Sequence, residues 1–231
     1  MPVPRIAVVL AAVGVALEFV GFLTRVSGAP RELARPLAMD AMFSVPRLYV
    51  TALFTAAAVV AALGAGRLPG RRTWWTAVAA IAAGIAAVKF AGDLHHRFFV
   101  AIGGGAHPVR ALLVSAVPAG AVVGWLWWLS RHERRDRRRV LSCLGLYAFA
   151  AVGLSSVSAA VGPPWAAAGT FVEESGEALA GVAFLIAVLL GVAPRLVLPA
   201  DWPLRRAADA HTLEVRDRLP GAAQPGHISP H

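Results

Sequence analysis

Long apolar runs, separated by short segments rich in arginine, glycine or proline, are the dominant pattern along this chain. Each run is close to the ~20 residues that a helix needs to cross the hydrocarbon core of a bilayer. Because a backbone inside lipid must satisfy its own hydrogen bonds, such runs are expected to be helical. The pattern predicts six membrane-spanning helices, over residues 5–26, 47–66, 73–96, 109–129, 140–162 and 171–194.

The composition supports a membrane protein. Of the 231 residues 58% are hydrophobic and 15% are charged, whereas soluble domains average roughly 45–50% and 25%. We therefore expect an all-α, polytopic integral membrane protein, a six-transmembrane-helix bundle over residues 1–196. The polar, proline-rich segment 197–231 is expected to be a largely disordered tail. Glu18 interrupts the first run, which favours an uncleaved span over a signal peptide.

Arginine is concentrated on one side of the predicted bundle. It is abundant in segments 67–72 and 131–139 and after the last span, and it is sparser in the intervening loops. The positive-inside rule places these segments and both termini in the cytoplasm, with the chain in the cell (plasma or inner) membrane. We expect segment 131–139, RHERRDRRR, to contact anionic lipid, and we expect no nucleic-acid partner.

Ionisable residues lie inside the third predicted span. Its second half contains Lys89, the only lysine of the chain, followed by Asp93, His95 and His96. Helical geometry places Lys89, Asp93 and His96 within about 60° of one another. Charged side chains inside a membrane are energetically costly and commonly mark functional sites. This stripe is therefore expected to form one wall of a polar site.

Further carboxylates fall at a similar depth on other spans. Glu18 belongs to the first span, and Glu173, Glu174 and Glu177 lie near the start of the last. All are in the outer half of the predicted bundle, so we expect them to converge around a polar cavity that opens to the outer face. Together with Asp93 they exceed the single lysine, so protons, arginines or a bound cation must offset the excess negative charge.

The residue types suit a divalent metal. Asp93 and His96 have the i, i+3 spacing seen for Glu-x-x-His ligands in di-iron helical bundles. Combined with Glu173 and Glu177, they offer oxygen and nitrogen ligands for zinc, iron or manganese. We predict that these four residues hold the metal, and that no other cofactor is needed.

The remaining charged residues suggest catalytic roles for hydrolytic or redox chemistry on a membrane-associated small molecule or lipid. Glu174 or Glu18 would act as general base, and Lys89 would stabilise developing negative charge. One alternative is a proton- or cation-coupled transporter, although the sequence has no convincing internal repeat. A second is a non-catalytic membrane assembly protein in which buried ion pairs, such as Lys89 with Asp93 or Glu18, fix helix packing.

Tryptophans lie near the arginine-rich ends of two spans. Trp74 and Trp75 open the third span, and Trp125, Trp127 and Trp128 close the fourth. Tryptophan is enriched where a membrane meets water. All five are expected to anchor the bundle in that interface.

Overall fold

The computed structural model describes residues 4–91, 108–130, 134–160, 162 and 165–198. Helices account for the regular secondary structure of this part of the chain, which confirms the all-α prediction. The helices are α1 Arg5–Val26, α2 Arg31–Leu37, α3 Val45–Arg67, α4 Arg72–Ala91, α5 Pro108–Leu129, α6 Arg134–Ala148, α7 Ser155–Ala160 and α8 Ala166–Val192. A π-helical segment, Phe149–Leu154, connects α6 directly to α7.

Several helices are long and apolar enough to cross a membrane, as a multi-pass membrane protein requires. Within the described residues there are five such stretches, and α5 contributes a shorter one, Leu113–Leu129. The five are Arg5–Val26, Val45–Arg67, Pro69–Ala91, Asp136–Ser158 and Ala166–Val192. The helix of the fifth predicted run, α6, begins at Arg134, within the arginine-rich segment and before the predicted start at residue 140. Arginine side chains can extend from a buried stem towards water, which allows this.

The surface of the helices is apolar. Large hydrophobic side chains are exposed on every long helix, among them Val9, Phe19, Val59, Val117 and Phe149. In water, such a surface would promote association. In a bilayer the same side chains contact lipid tails, as the sequence pattern predicts.

Helices α3, α4 and α8 form the centre of the bundle. Helix α3 packs along the length of α4, and α8 packs against α3, α1 and α6. The rings of Phe54 on α3 and Phe184 on α8 are fully buried, with centroids 5.4 Å apart. Helix α5 lies at the periphery, with few contacts to α4 and α6.

Glycines allow α8 to approach α3 closely. A Cβ atom added at Gly181 would lie 3.3 Å from Cε2 of Phe54, and one added at Gly64 would lie 2.5 Å from Cγ2 of Val192. Membrane helices lack a hydrophobic driving force for association, so close packing of small residues is a main source of their stability.

One end of the bundle, here called the basic end, is defined by Arg71, Trp75, Asp136 and Gly191. Arg71 Nη2 lies 2.9 Å from Asp136 Oδ2. A Cβ added at Gly191 would overlap the Trp75 ring. Arg71 immediately precedes α4, Asp136 is near the start of α6, and Gly191 is near the end of α8. Helix α8 therefore runs antiparallel to α4 and α6.

Two tryptophans are placed differently from the prediction. Trp74 and Trp75 are 3% and 0% exposed and belong to the core, so the anchor prediction is wrong for them. Gly191 has no side chain, which leaves room for the Trp75 ring against α8. Trp125, Trp127 and Trp128 are each at least half exposed, as expected of residues at a lipid interface.

Candidate functional site

An ion-paired lysine connects α4 to α8 near the end of the bundle opposite to the basic end. Lys89 Nζ lies 3.5 Å from Oε2 of Glu174 and is also paired with Oε2 of Glu177. The side chains of Lys89, Glu174 and Glu177 are only 12%, 12% and 4% exposed.

Helix α1 adds a third carboxylate. Glu18 is 1% exposed and lies within electrostatic reach of Glu174, Glu177 and Lys89. Its Oε2 has no hydrogen-bond partner in the described part of the chain. A buried carboxylate oxygen without a donor is costly. We refer to Glu18, Lys89, Glu174 and Glu177 as the Lys89 cluster, and to this end of the bundle as the acidic end.

A fourth carboxylate borders the cluster. Glu173 is partly buried, and its Oε2 accepts a hydrogen bond of 2.6 Å from Oγ of Ser158 on α7. Carboxylate oxygens of Glu173, Glu174 and Glu177 all lie within 4.8 Å of one another. The three glutamates are neighbours on α8, because Glu173 and Glu174 are adjacent and Glu177 lies one helical turn further on. Together they place three carboxylate oxygens near α4 and α7.

The charge of the Lys89 cluster does not balance. Three carboxylates and one ammonium leave two uncompensated negative charges when every group is ionised. In a low-dielectric interior such an excess is unfavourable, so protons or a cation must accompany it. One divalent cation has the charge that would neutralise the cluster.

A tyrosine and the π-helical segment lie on the α6–α7 side of the cluster. Tyr147 lies within electrostatic reach of the Glu177 carboxylate, and its ring contacts that of Phe54 edge to face, with centroids 4.7 Å apart. The π-helical segment begins two residues after Tyr147 and packs on Gly176 of α8. Such segments are rare and frequently occur at functional sites.

Arg47, in the first turn of α3, holds the end of α4 in place. Its Nε donates a hydrogen bond of 2.7 Å to the backbone oxygen of Lys89. Its Nη1 donates one of 3.1 Å to the backbone oxygen of Asp40. The backbone of Lys89 is thereby fixed, while the side chain extends to α8.

The segment between α2 and α3 covers α1 at the acidic end. Met39 is buried, and a Cβ added at Gly21 would overlap the backbone oxygen of Leu37. Asp40 of this segment pairs with Arg25 near the end of α1 at 3.4 Å. The covering segment is thus attached to α1 by packing and by charge.

The structure brings together five of the residues that the sequence singled out. Glu18, Lys89, Glu173, Glu174 and Glu177 lie at one end of the bundle, as expected from their common depth. The partners of Lys89 are Glu174 and Glu177, and no pair with Glu18 is formed within the 4.0 Å of an ion pair among the described residues.

The other two predicted metal ligands, Asp93 and His96, lie outside the described residues, as does His95. The metal and catalytic roles therefore stay predictions. Sequence reasoning missed Tyr147 and the role of Arg47. A hydroxyl on an aromatic residue inside a predicted span is the available signal for Tyr147, and a charge at the first residue of the second predicted span is the signal for Arg47.

No protein-family model, no curated protein and no solved structure matches this chain, so its function is inferred from the chemistry of the site.

Proposed function

We propose that this protein binds a divalent cation in the membrane at the Lys89 cluster. The observation that carries the proposal is the buried Glu18 carboxylate with an unpaired oxygen, within electrostatic reach of the carboxylates of Glu174 and Glu177. The excess of carboxylates over the single ammonium supports a bound cation. The three α8 glutamates offer oxygens close enough to one another to share it.

The proposed ligands are Glu173 and Glu177, completed by Asp93 and His96 from the segment that follows α4. Carboxylate oxygens with one imidazole suit manganese, iron or zinc. A metal held in this way would activate a water molecule or carry out redox chemistry on a membrane-associated substrate. Glu174 or Glu18 would accept the proton, and the Lys89 ammonium would stabilise negative charge that develops nearby.

The proposed topology has six spans, with α5 as the fourth and both termini in the cytoplasm of a plasma or inner membrane. It is supported by the arginines at the basic end, which include Arg67, Arg71 and Arg72. The positive-inside rule assigns this end to the cytoplasm and the acidic end to the outer face. Arg137, Arg138 and Arg139 of α6 would contact anionic lipid there.

A second candidate function is proton- or cation-coupled transport. The observation that favours it is the pairing of Lys89 with Glu174 and Glu177, because these carboxylates already hold an internal cation that an incoming one would replace. A third candidate, a non-catalytic assembly protein, would use the same ion pairs only to fix α4 against α8. It differs from the first two because it requires no ligand.

Elemental analysis of the detergent-purified protein tests the proposal. We expect a stoichiometric transition metal in the wild type and its loss in the double variants Glu173→Gln/Glu177→Gln and Asp93→Ala/His96→Ala. The variant Glu32→Gln is a matched control, because Glu32 is exposed on α2, and it should retain the metal. A metal-free wild type whose melting is indifferent to chelators and to added Zn²⁺, Fe²⁺ or Mn²⁺ would refute the proposal.

A further inference from the structure

We infer that Lys89 is an internal competitor for the proposed cation, which keeps that cation exchangeable. This inference rests on the proposed function, because it assigns a regulator to the same site. The ammonium of Lys89 occupies an oxygen of Glu177 that an incoming ion would use, and it also pairs with the neighbouring Glu174. The lysine would therefore weaken cation binding, whereas the carboxylates of the cluster would favour it.

The geometry makes the two cations mutually exclusive at these oxygens. A divalent ion bound to a carboxylate lies about 2.0–2.6 Å from its oxygen. An ion on Oε2 of Glu177 would then be almost in contact with Nζ of Lys89, which is paired with the same atom. Repulsion between like charges at such separations is large even at an effective dielectric constant of ~20.

The Glu18 carboxylate is an independent observation that points to a ligand. It lies on a different helix from the other carboxylates and is almost fully buried, and Lys89 is not within ion-pair distance of it in the described structure. Its unpaired oxygen therefore offers a place for positive charge that the lysine leaves open. When an ion binds to Glu177, the Glu18 carboxylate would receive the displaced ammonium.

The displacement requires movement of one side chain only. Arg47 holds the backbone oxygen of Lys89 at 2.7 Å, so the end of α4 stays in place. The four-carbon stem of lysine is flexible and carries a point charge without a fixed orientation. The competition would thus be resolved by rotation of the Lys89 side chain between two sets of carboxylates, without movement of α4 relative to α3.

Binding of Mn²⁺ to the detergent-purified full-length protein, measured by the loss of the free Mn²⁺ electron paramagnetic resonance signal, tests the inference. Removal of the competitor in Lys89→Met should lower the Kd by at least about tenfold. Lys89→Arg keeps a cation in place and should bind no more tightly than the wild type. Arg5→Met, which removes an exposed charge at the start of α1, is the matched control and should leave the Kd unchanged.

A melting experiment covers the case in which Lys89→Met is unstable without metal. The unfolding temperature of Lys89→Met should rise more on addition of Mn²⁺ than that of the wild type, because the ion replaces the lost ammonium. The inference is overturned if Lys89→Met binds Mn²⁺ no more tightly than Arg5→Met, or, where Lys89→Met is unstable without metal, if Mn²⁺ raises its unfolding temperature no more than that of the wild type. If the wild type binds Mn²⁺ in that case, the proposed function stands alone. If neither protein binds Mn²⁺, the inference fails, and the elemental analysis and melting with Zn²⁺, Fe²⁺ and Mn²⁺ decide the proposed function.

Discussion

The stability of the Lys89 cluster should respond asymmetrically to loss of its positive and negative members. Lys89→Met leaves Glu174 and Glu177 together in a site where they are 12% and 4% exposed. Removal of one partner from a buried ion pair costs about 3–5 kcal/mol. In the presence of a chelator, we expect a loss of this size in the free energy of unfolding.

Glu177→Gln should cost less, because Lys89 keeps Glu174 at 3.5 Å. The expected loss is about 1.5–3 kcal/mol, the contribution of one charge-assisted interaction. The double variant Lys89→Met/Glu177→Gln removes one charge of each sign. Its destabilisation should therefore fall below the sum of the two single losses.

Unfolding in mixed micelles, followed by tryptophan fluorescence with increasing SDS, measures these differences. Arg25→Met is the matched control, because the Arg25–Asp40 pair has the same charges but side chains that are 44% and 59% exposed. An exposed pair contributes about 0–1 kcal/mol. The reasoning would be wrong if Lys89→Met cost no more than Arg25→Met, or if Glu177→Gln cost as much as Lys89→Met.

Three further predictions concern the framework of the site. Gly191→Ala places a methyl group against the buried Trp75 ring and should lower the free energy of unfolding by about 1–3 kcal/mol. Gly84→Ala is the control, because the space around Gly84 is open, and in the same unfolding assay it should be neutral or stabilising. Tyr49→Phe removes a hydrogen bond of 2.6 Å to a backbone oxygen of α1 and should cost about 0.5–1.5 kcal/mol; no measurable loss would contradict this. Arg47→Met releases the last turn of α4 and should speed amide hydrogen exchange there, but not at the basic end; unchanged exchange at the end of α4 would show that this residue is not needed to hold it.

The helices could be predicted from the sequence because lipid leaves the backbone few alternatives. A continuous apolar run of sufficient length inside a membrane must be helical whatever it packs against, so the long apolar helices could be located without tertiary information. The π-helical segment Phe149–Leu154 had no such signal. Its residues are as apolar as those around it, and the distortion depends on packing against Gly176 and on the path of the helix along α8.

The convergence of charged residues could also be predicted, but the pairing within the cluster could not. Depth in the membrane follows from residue number along a span, and burial of charge makes isolation costly. The partner of Lys89 depends on how α8 is rotated against α4, which the spacing within one helix does not determine. Trp75 shows the same limit, because its burial depends on Gly191 of another helix.

The closely packed core between the two ends of the bundle bears on whether an ion could cross the protein. Phe54, Val78, Phe184 and Val188 are completely buried in the described core, between the Lys89 cluster and the basic end. The proposed cation, if it enters from the acidic end, would find these side chains in its path within the described part of the chain. A carrier would then have to separate α3, α4 and α8 during every cycle and lose their contacts each time. An enzyme needs access from one end only and would require no such rearrangement.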